Sequence, residues 1–291
     1  TMPAKVAIHH QSVYRFDRPT LVLPHSVRLR PAPHCRTPIS NYSLSITPDS
    51  HYIHWQQDPF NNYMARLQFS ELAEELAINV KLQASLEPFN PFDFFVDEDA
   101  STFPFRYEPE LVKELGPYLL ISEQGPKLKA FVKSIDQSDQ ETVGFLVAVN
   151  KLIKQEISYI QRFEQGVLTC EETLKNKQGS CRESAWLLMQ VYRHLGLVTR
   201  FVSGYQVILE DKVSEDGQQT ITNDRIDLHA WVEVYVPGAG WIGLDPSAGL
   251  LASENYIPLA CTPSPESAAP ISGKTTFSNT DFKYFSTVIR I

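Results

Sequence analysis

A cysteine, a histidine and an aspartate are the residues of this chain whose types and spacing could carry covalent chemistry. Cys181 follows Ser180 at the start of an apolar-striped segment, and Glu183 completes a capping-box pattern with that serine. Cys181 is therefore predicted at the first helical position, where the positive end of the helix dipole favours the thiolate over the thiol. A lone cysteine on an apolar helix face is more often a small buried hydrophobe, so its position alone does not make it a nucleophile.

The histidine and the aspartate belong to two predicted strands of one hairpin. In DLHAWVEVYV, His229 lies off the apolar face, and Asp245 ends the strand GWIGLD. The two side chains share a face only if the loop between the strands has an odd length. A three-residue loop 237–239 puts Asp245 opposite Trp231 and diagonal to His229, whereas a five-residue loop 235–239 puts it directly opposite His229. The turn PGAG is compatible with a bulged loop, and an odd length is predicted.

Together these residues form the arrangement that acyl transfer to a thiol requires. The histidine removes the thiol proton and later protonates the leaving group, while the carboxylate fixes the histidine tautomer and stabilises the imidazolium. The backbone N–H of Cys181 is the predicted first oxyanion donor, because a helix start leaves it unpaired. Tyr159 is a candidate for the second donor, with simple packing as its alternative role. Trp231 and Trp241 are candidates for the walls of a substrate cleft, and core packing is the alternative for each.

The elements that position these residues change character along the chain. The pattern of about ninety residues at the start predicts short strands, most clearly in EELAINVKLQASL with its period of two. These strands indicate an antiparallel β-sandwich-like domain. A connector rich in Pro, Phe and acidic residues then leads into helical segments. Capping boxes are predicted at Ser138 with Glu141 and at Thr169 with Glu172. Strands return after Gly196, so the second part is an α+β arrangement.

These patterns divide the chain into three predicted parts. Residues 1–100 form an N-terminal β domain, 101–250 form a catalytic domain, and 251–291 form an extended segment that ends in the strand FKYFSTVIRI.

Composition narrows the possible partners and surroundings. The chain has 291 residues and a formal net charge of -8, with no Lys/Arg run and no long apolar stretch, which argues against nucleic acid and membrane as partners. Its four cysteines are widely spaced and no signal peptide is visible, so a cytoplasmic location without a disulfide framework is expected. With no CxxC pair and no HExxH motif, neither a metal nor another cofactor is expected. The oligomeric state is left open.

Two motifs carry a family resemblance. QGSCRESAWLLMQVYRHLGLVTRFVSGYQ, followed by DLHAWVEVYVPGAGWIGLDPSAGL, closely resembles the core of the bacterial transglutaminase-like superfamily, in which Cys, His and Asp occur in this chain order. KVAIHHQSVYRFDRPTLVLPHSVRLRPAP resembles the β domain that precedes this core in bacteria. The resemblance implies a papain-like α+β core, with Cys181, His229 and Asp245 as the catalytic residues. Because the superfamily includes protein cross-linkers, peptidases, amidases and inactive relatives, it does not specify the substrate.

The expected activity is cysteine-dependent acyl transfer on an amide of a peptide or protein, through a thioester intermediate. Water as the acceptor gives a protease or amidase. This activity is the favoured prediction, because an accessible thioester hydrolyses by default. A lysine or polyamine acceptor gives a transglutaminase. The rival classes are a non-catalytic interaction protein built on the same scaffold and, less compatible with the ligand spacing, a metal-dependent hydrolase that uses the three residues as ligands.

Overall fold

The computed structural model describes residues 3–213 and 220–291. The N-terminal part, residues 4–86, consists of antiparallel strands. They are β1 (Ala4–Leu21), β2 (His25–Val27), β3 (Ile39–Thr47), β4 (His51–Gln57), β5 (Tyr63–Phe69) and β6 (Leu72–Leu86). Together with β18 (Ile271–Ser272) and β19 (Thr280–Arg290), they form two four-stranded sheets with the orders β19-β1-β6-β3 and β18-β2-β5-β4. Side chains of both sheets form one hydrophobic cluster, so the predicted β-sandwich-like domain is confirmed.

Helices and short strands follow. The helices are α1 (Pro109–Glu114), α2 (Pro126–Ser134), α3 (Thr142–Glu156), α4 (Cys170–Asn176) and α5 (Cys181–His194). The short strands are β7 (Thr102–Phe103), β8 (Gln140–Glu141), β9 (Ser158–Tyr159) and β10 (Gln178–Gly179). Short 3-10 turns lie at Glu98–Ala100, Gly116–Leu119 and Glu266–Ala268. None of the helices among the described residues has the length and apolar composition needed to cross a bilayer.

The remaining strands build the sheet on which the helices pack. They are β11 (Thr199–Ile208), β12 (Asp211–Val213), β13 (Thr220–Thr222), β14 (Arg225–Val236), β15 (Gly240–Asp245), β16 (Leu250–Leu251), β17 (Tyr256–Thr262), β18 (Ile271–Ser272) and β19 (Thr280–Arg290). The central five-stranded sheet has the order β16-β15-β14-β11-β17. Helix α5 packs across β14 and β11, which completes the predicted α+β, transglutaminase-like core.

Strand β14 connects the two hydrophobic cores. Ala230, Val232 and Val234 on one of its faces join the cluster around α5, while Ile226 on the same face joins the cluster of the N-terminal sheets. The strand that presents His229 is thus buried against helices at one end and against the β domain at the other. This double anchoring makes β14 a rigid support for its side chains.

The segment 251–291 is shared between the two halves of the molecule. β17 pairs with β11 in the central sheet, β18 pairs with β2, and β19 pairs with β1 from Val6↔Arg290 to Phe16↔Thr280. The predicted C-terminal strand is present, and its position is the edge of an N-terminal sheet.

One predicted helix start is wrong. Helix α3 begins at Thr142, and the side chain of Glu141 is its N-cap, accepting hydrogen bonds from the N–H groups of Val143 and Gly144. The predicted cap, Ser138, lies outside the helix. The reason is tertiary, because β8 pairs with β7 and holds Gln140 and Glu141 in an extended conformation.

Candidate active site

Cys181 is the first residue of α5, as predicted. Ser180 is the N-cap, and its hydroxyl accepts a hydrogen bond from the Arg182 N–H at 3.3 Å. The Glu183 carboxylate accepts the Ser180 N–H at 2.8 Å, which completes the capping box. Cys181 is 9% exposed, so its thiol lies at the edge of the core. This places the sulfur next to the positive end of the helix dipole.

The hairpin β14–β15 has the odd-length loop that the motif requires. Val236 pairs with Gly240 across the three residues 237–239, and this register puts Asp245 opposite Trp231 and diagonal to His229. The Nε2 atom of His229 lies 2.8 Å from Asp245 Oδ2. The His229 side chain is 8% exposed and the Asp245 side chain is fully buried, so little water competes for this contact.

The Cys181 side chain is the second group that acts on the imidazole of His229. Burial of the imidazole lowers its pKa, but hydrogen bonds to Asp245 and Cys181, together with their charges, outweigh burial and raise the pKa of His229 to about 10. The imidazolium is therefore the stable form at neutral pH. Since Nε2 contacts Asp245, Nδ1 is the nitrogen left for the cysteine.

Hydrogen bonds saturate the buried carboxylate of Asp245. Its Oδ1 accepts from Ser247 N–H at 2.9 Å and from Ser247 Oγ at 2.7 Å, and its Oδ2 accepts from the Tyr256 hydroxyl at 2.8 Å. Burial alone would raise the pKa of Asp245, but these bonds and His229 hold it below its usual range. The Tyr256 hydroxyl in turn accepts from Gln206 Nε2 at 2.9 Å.

Sequence reasoning missed Ser247, Tyr256 and Gln206. The Asp-Pro-Ser pattern, in which an aspartate binds the backbone two residues later, was a signal for Ser247. Tyr256 and Gln206 belong to other strands, and no local pattern links them to Asp245.

Trp231 does not line a cleft. It is 1% exposed, its ring centroid lies 6.4 Å from that of His229, and it meets Tyr256 edge-on at 5.2 Å. The indole therefore supports the imidazole from within the protein, which corrects its assignment to the substrate cleft. The reason is a small buried cluster that Trp231 forms with Val202 on β11 and with Tyr256 and Cys261 on β17. Gly204 makes the packing possible, because a Cβ there would lie 2.5 Å from the Trp231 ring.

Trp241 also packs against protein groups. The Arg200 guanidinium lies 4.2 Å from its ring centroid, and the rings of Tyr118 and Tyr235 meet it edge-on at 5.3 Å. It precedes Asp245 by four residues on the strand, a distance of about 13 Å at the usual rise per residue. These contacts show that Trp241 packs against neighbouring side chains. Its place in the substrate cleft stays a prediction.

Tyr159 lies at the mouth of the site. It pairs with Gly179 in the short parallel contact between β9 and β10, two residues before Cys181, and is 53% exposed. Partial burial and then the charge of Cys181 raise the pKa of its phenol. Its role as an oxyanion donor stays a prediction, with packing as the alternative.

A buried ion pair supports the start of α5. Glu183 is fully buried, and its carboxylate binds the guanidinium of Arg162 as well as Ser180, and accepts the Leu168 N–H at 3.2 Å. The residues between Tyr159 and α4 are thereby tied to the helix that carries Cys181. Only the capping half of this arrangement was visible in the sequence.

One group of possible metal ligands occurs among the described residues, and it is not the predicted triad. Atoms of His34, Glu233 and Cys261 lie within 4.8 Å of one another. The Arg200 Nε atom donates to the Glu233 carboxylate at 2.6 Å, and Arg200 Nη2 lies 3.3 Å from His34 Nε2. A guanidinium in this position supplies the positive charge that a cation would otherwise bring.

Two family models match the chain. Residues 6–85 match the bacterial transglutaminase-like N-terminal region, and residues 129–246 match the transglutaminase-like superfamily. The two matches confirm the resemblance of the chain to the transglutaminase-like superfamily and to the N-terminal region of its bacterial members.

Several proteins are similar to the chain. The structure of a proposed cysteine protease from Cytophaga hutchinsonii superimposes with a TM-score of 0.68 at 18% identity, covering 100% of this chain and 92% of that one, which shows a shared fold. A protein-glutamine gamma-glutamyltransferase of Pseudomonas aeruginosa is 32% identical over 71 residues, and YebA of Bacillus subtilis is 30% identical over 80 residues. These stretches cover 24% and 26% of this chain, and the chain spans 10% of the length of each relative. The cytoplasmic location stays a prediction.

Proposed function

We propose that this protein is a cysteine-dependent acyl-transfer enzyme that acts on amide bonds of a peptide or protein, with Cys181, His229 and Asp245 as its catalytic residues. The observation that carries the proposal is the position of the imidazole between the thiol and a buried carboxylate, 2.8 Å from the latter. A raised pKa of His229, to about 10, favours a thiolate–imidazolium pair at neutral pH.

The reaction follows from this geometry in two steps. The Cys181 thiolate attacks the amide carbon, and the His229 imidazolium gives its proton to the leaving amine as the C–N bond breaks, leaving a thioester. In the second step the neutral imidazole takes a proton from the acceptor, which attacks the thioester and releases the thiolate. Asp245 keeps the imidazole oriented through both steps.

The oxyanion of each tetrahedral intermediate needs donors. The Cys181 N–H has no hydrogen-bond acceptor within residues 3–213 and 220–291, as expected at the first position of a helix. This free donor supports its proposed role as the first contact to the oxyanion. The phenol of Tyr159, which is exposed beside the site, is the proposed second donor.

Hydrolysis is the favoured outcome, with transfer to an amine as the alternative. Water reaches any open thioester, whereas efficient aminolysis requires a site that holds the amine. The short stretch of similarity to a protein-glutamine gamma-glutamyltransferase supports the alternative. Treatment of casein with the enzyme and a fluorescent primary amine distinguishes the two, because hydrolysis leaves the protein unlabelled and transfer attaches the fluorophore.

The decisive test compares the four thiols of the native protein. Iodoacetamide labelling is followed from pH 5 to pH 9 by peptide mass spectrometry, in the wild type and in His229→Ala. Cys181 is expected to label rapidly near pH 6, while Cys170, which is 1% exposed, labels slowly. In His229→Ala, Cys181 should no longer label faster than the other cysteines at low pH.

A matched variant controls for the loss of a histidine. His194→Ala removes an imidazole at the other end of α5, where Nε2 contacts the Glu123 carbonyl at 2.8 Å, and should leave the labelling of Cys181 unchanged. If Cys181 of the wild type labels no faster than the other three cysteines at any pH, the protein is a non-catalytic scaffold.

A further inference from the structure

Asp227 lies beside the proposed catalytic histidine. It precedes His229 by two residues on β14, so the two side chains point to the same face of the strand, about 7 Å apart. Unlike His229, it is exposed. A negative charge therefore borders the site on its solvent side.

Among the residues that the structure describes, this carboxylate lacks the partners that neighbouring acidic residues have. Asp224 binds the Arg290 guanidinium with both oxygens at 2.8 Å, and Glu233 binds Arg200. For Asp227, no lysine, arginine or histidine nitrogen of the described residues lies within 4 Å, and no hydrogen bond reaches it there. Its charge is thus available to a ligand.

The charge of Asp227 acts on Tyr159, at the mouth of the site. After partial burial, the charges of Cys181, Asp227 and Asp245 all raise the pKa of the exposed Tyr159 phenol. Two cations lie nearby. The His229 imidazolium is balanced by the charges of Cys181 and Asp245, which raise its pKa. The Arg182 guanidinium already donates to the carbonyls of Arg162 and Glu164 at 3.3 and 3.0 Å. The mouth of the site is therefore negative, in a chain whose net charge is -8.

We infer that Asp227 is a specificity-determining residue that binds a cationic group of the substrate next to the reacting amide. The inference rests on the proposed function only in taking Cys181 as the reacting atom. The cation is either a basic side chain of the acyl donor or the protonated amine of an acceptor. Tyr159 offers the aromatic surface against which the aliphatic stem of a lysine packs.

The rate at which Cys181 reacts with a charged reagent depends on the charge near its thiol. Its rate of modification is measured with two methanethiosulfonate reagents of similar size, the cationic ethyltrimethylammonium and the anionic ethylsulfonate forms. The wild type should prefer the cationic reagent. Asp227→Asn should lower the ratio of the two rates by about three- to tenfold, as expected for the loss of one charge near the thiol in a partly aqueous setting. Asp227→Glu should keep the ratio, and Asp227→Lys should invert the preference.

The control variant is Glu71→Gln, which removes an exposed carboxylate in the turn between β5 and β6 and so changes the net charge equally. Its ratio should equal that of the wild type. An equal drop in Glu71→Gln, or an unchanged ratio in Asp227→Asn, would overturn the inference while leaving the proposed function intact. Slow reaction of Cys181 with both reagents would contradict the proposed function, and the inference with it.

A protection experiment identifies the source of the cation. Modification of Cys181 is repeated with acetyl-Lys-Gln-amide or with cadaverine present. Protection by the peptide that is lost in Asp227→Asn assigns the cation to the acyl donor, and the same result with cadaverine assigns it to the acceptor. Protection by neither compound contradicts a binding role for Asp227.

Discussion

His229 Nε2 and Asp245 Oδ2 lie 2.8 Å apart although the two residues are diagonal and not directly opposite across the hairpin. The diagonal distance is bridged because the long imidazole reaches along the strand toward a carboxylate that Ser247 and Tyr256 hold in place. Orientation of the imidazole thus depends on residues outside the predicted triad.

Asp245→Asn should remove the preference for the imidazolium. The charge and the hydrogen bond that raise the pKa of His229 are lost, so its pKa falls from about 10 toward the ordinary value near 6.5. We expect iodoacetamide labelling of Cys181 at pH 6 to slow at least about tenfold. Asp281→Asn, at an exposed position on β19, should label like the wild type; an unaltered rate in Asp245→Asn would show that the carboxylate does not act on the thiol.

Tyr256→Phe should destabilise the protein without unfolding it. The substitution removes the donor 2.8 Å from Asp245 Oδ2 and leaves Gln206 Nε2 without its acceptor, so we expect a loss of about 2 kcal/mol in the free energy of unfolding. Urea denaturation measures it. Tyr52→Phe, which alters a tyrosine that is 65% exposed, should cost less than about 0.5 kcal/mol, and equal losses would refute this account.

Gly204→Ala should disturb the floor of the site. A Cβ at Gly204 would lie 2.3 Å from the Ile257 carbonyl oxygen and 2.5 Å from the Trp231 ring, so the indole beneath His229 must move. Overpacking of this kind costs about 1 to 3 kcal/mol, and Cys181 labelling should slow as well. Gly116→Ala is the matched control, because no atom lies within 4 Å of its added Cβ. Wild-type stability in Gly204→Ala would contradict the close packing.

Tyr159→Phe separates oxyanion stabilisation from thiol activation. Release of 4-nitrophenol from its acetate ester passes through an oxyanion, whereas alkylation by iodoacetamide does not. If the phenol donates to the oxyanion, ester turnover should fall about 100-fold while alkylation of Cys181 is unchanged. Equal turnover in the variant would remove Tyr159 from the oxyanion site.

His10 should make the stability of the protein sensitive to acid. Its ring is buried between Tyr205 and Ser12 at 2.6 and 2.9 Å, and burial, followed by the charge of His9, lowers the pKa of His10 to about 4. In the unfolded chain the imidazole of His10 is protonated near pH 6.5, whereas in the folded protein it is protonated only near pH 4. Stability is therefore lost as the pH falls through this window, by about 3 kcal/mol.

The His10 prediction is checked by urea denaturation at pH 7.5 and pH 4.5. His10→Gln should flatten the dependence on pH, whatever its effect on stability at pH 7.5. His54→Gln, at an exposed histidine, should keep the slope of the wild type. A wild-type slope in His10→Gln would contradict the assignment.

The features that the sequence determined by itself depend on near neighbours in the chain. The capping box of Ser180 and Glu183 places Cys181 at a helix start, and the parity of the loop 237–239 places His229 and Asp245 on one face. The alternation in β6 likewise predicts which side chains are buried. Such patterns act over a few residues, where backbone geometry leaves little choice.

Tertiary structure decided the contacts between distant segments. Tyr256 reaches Asp245 from β17, Arg162 reaches Glu183 from a loop, and β19 completes a sheet that begins with β1. Trp231 alternates like a surface residue, yet it is buried because side chains of β11 and β17 pack against it. Ser138 has the pattern of a cap, but pairing of β7 with β8 moves the helix start to Thr142. No local pattern encodes these outcomes, because each depends on which surfaces the folded chain brings together.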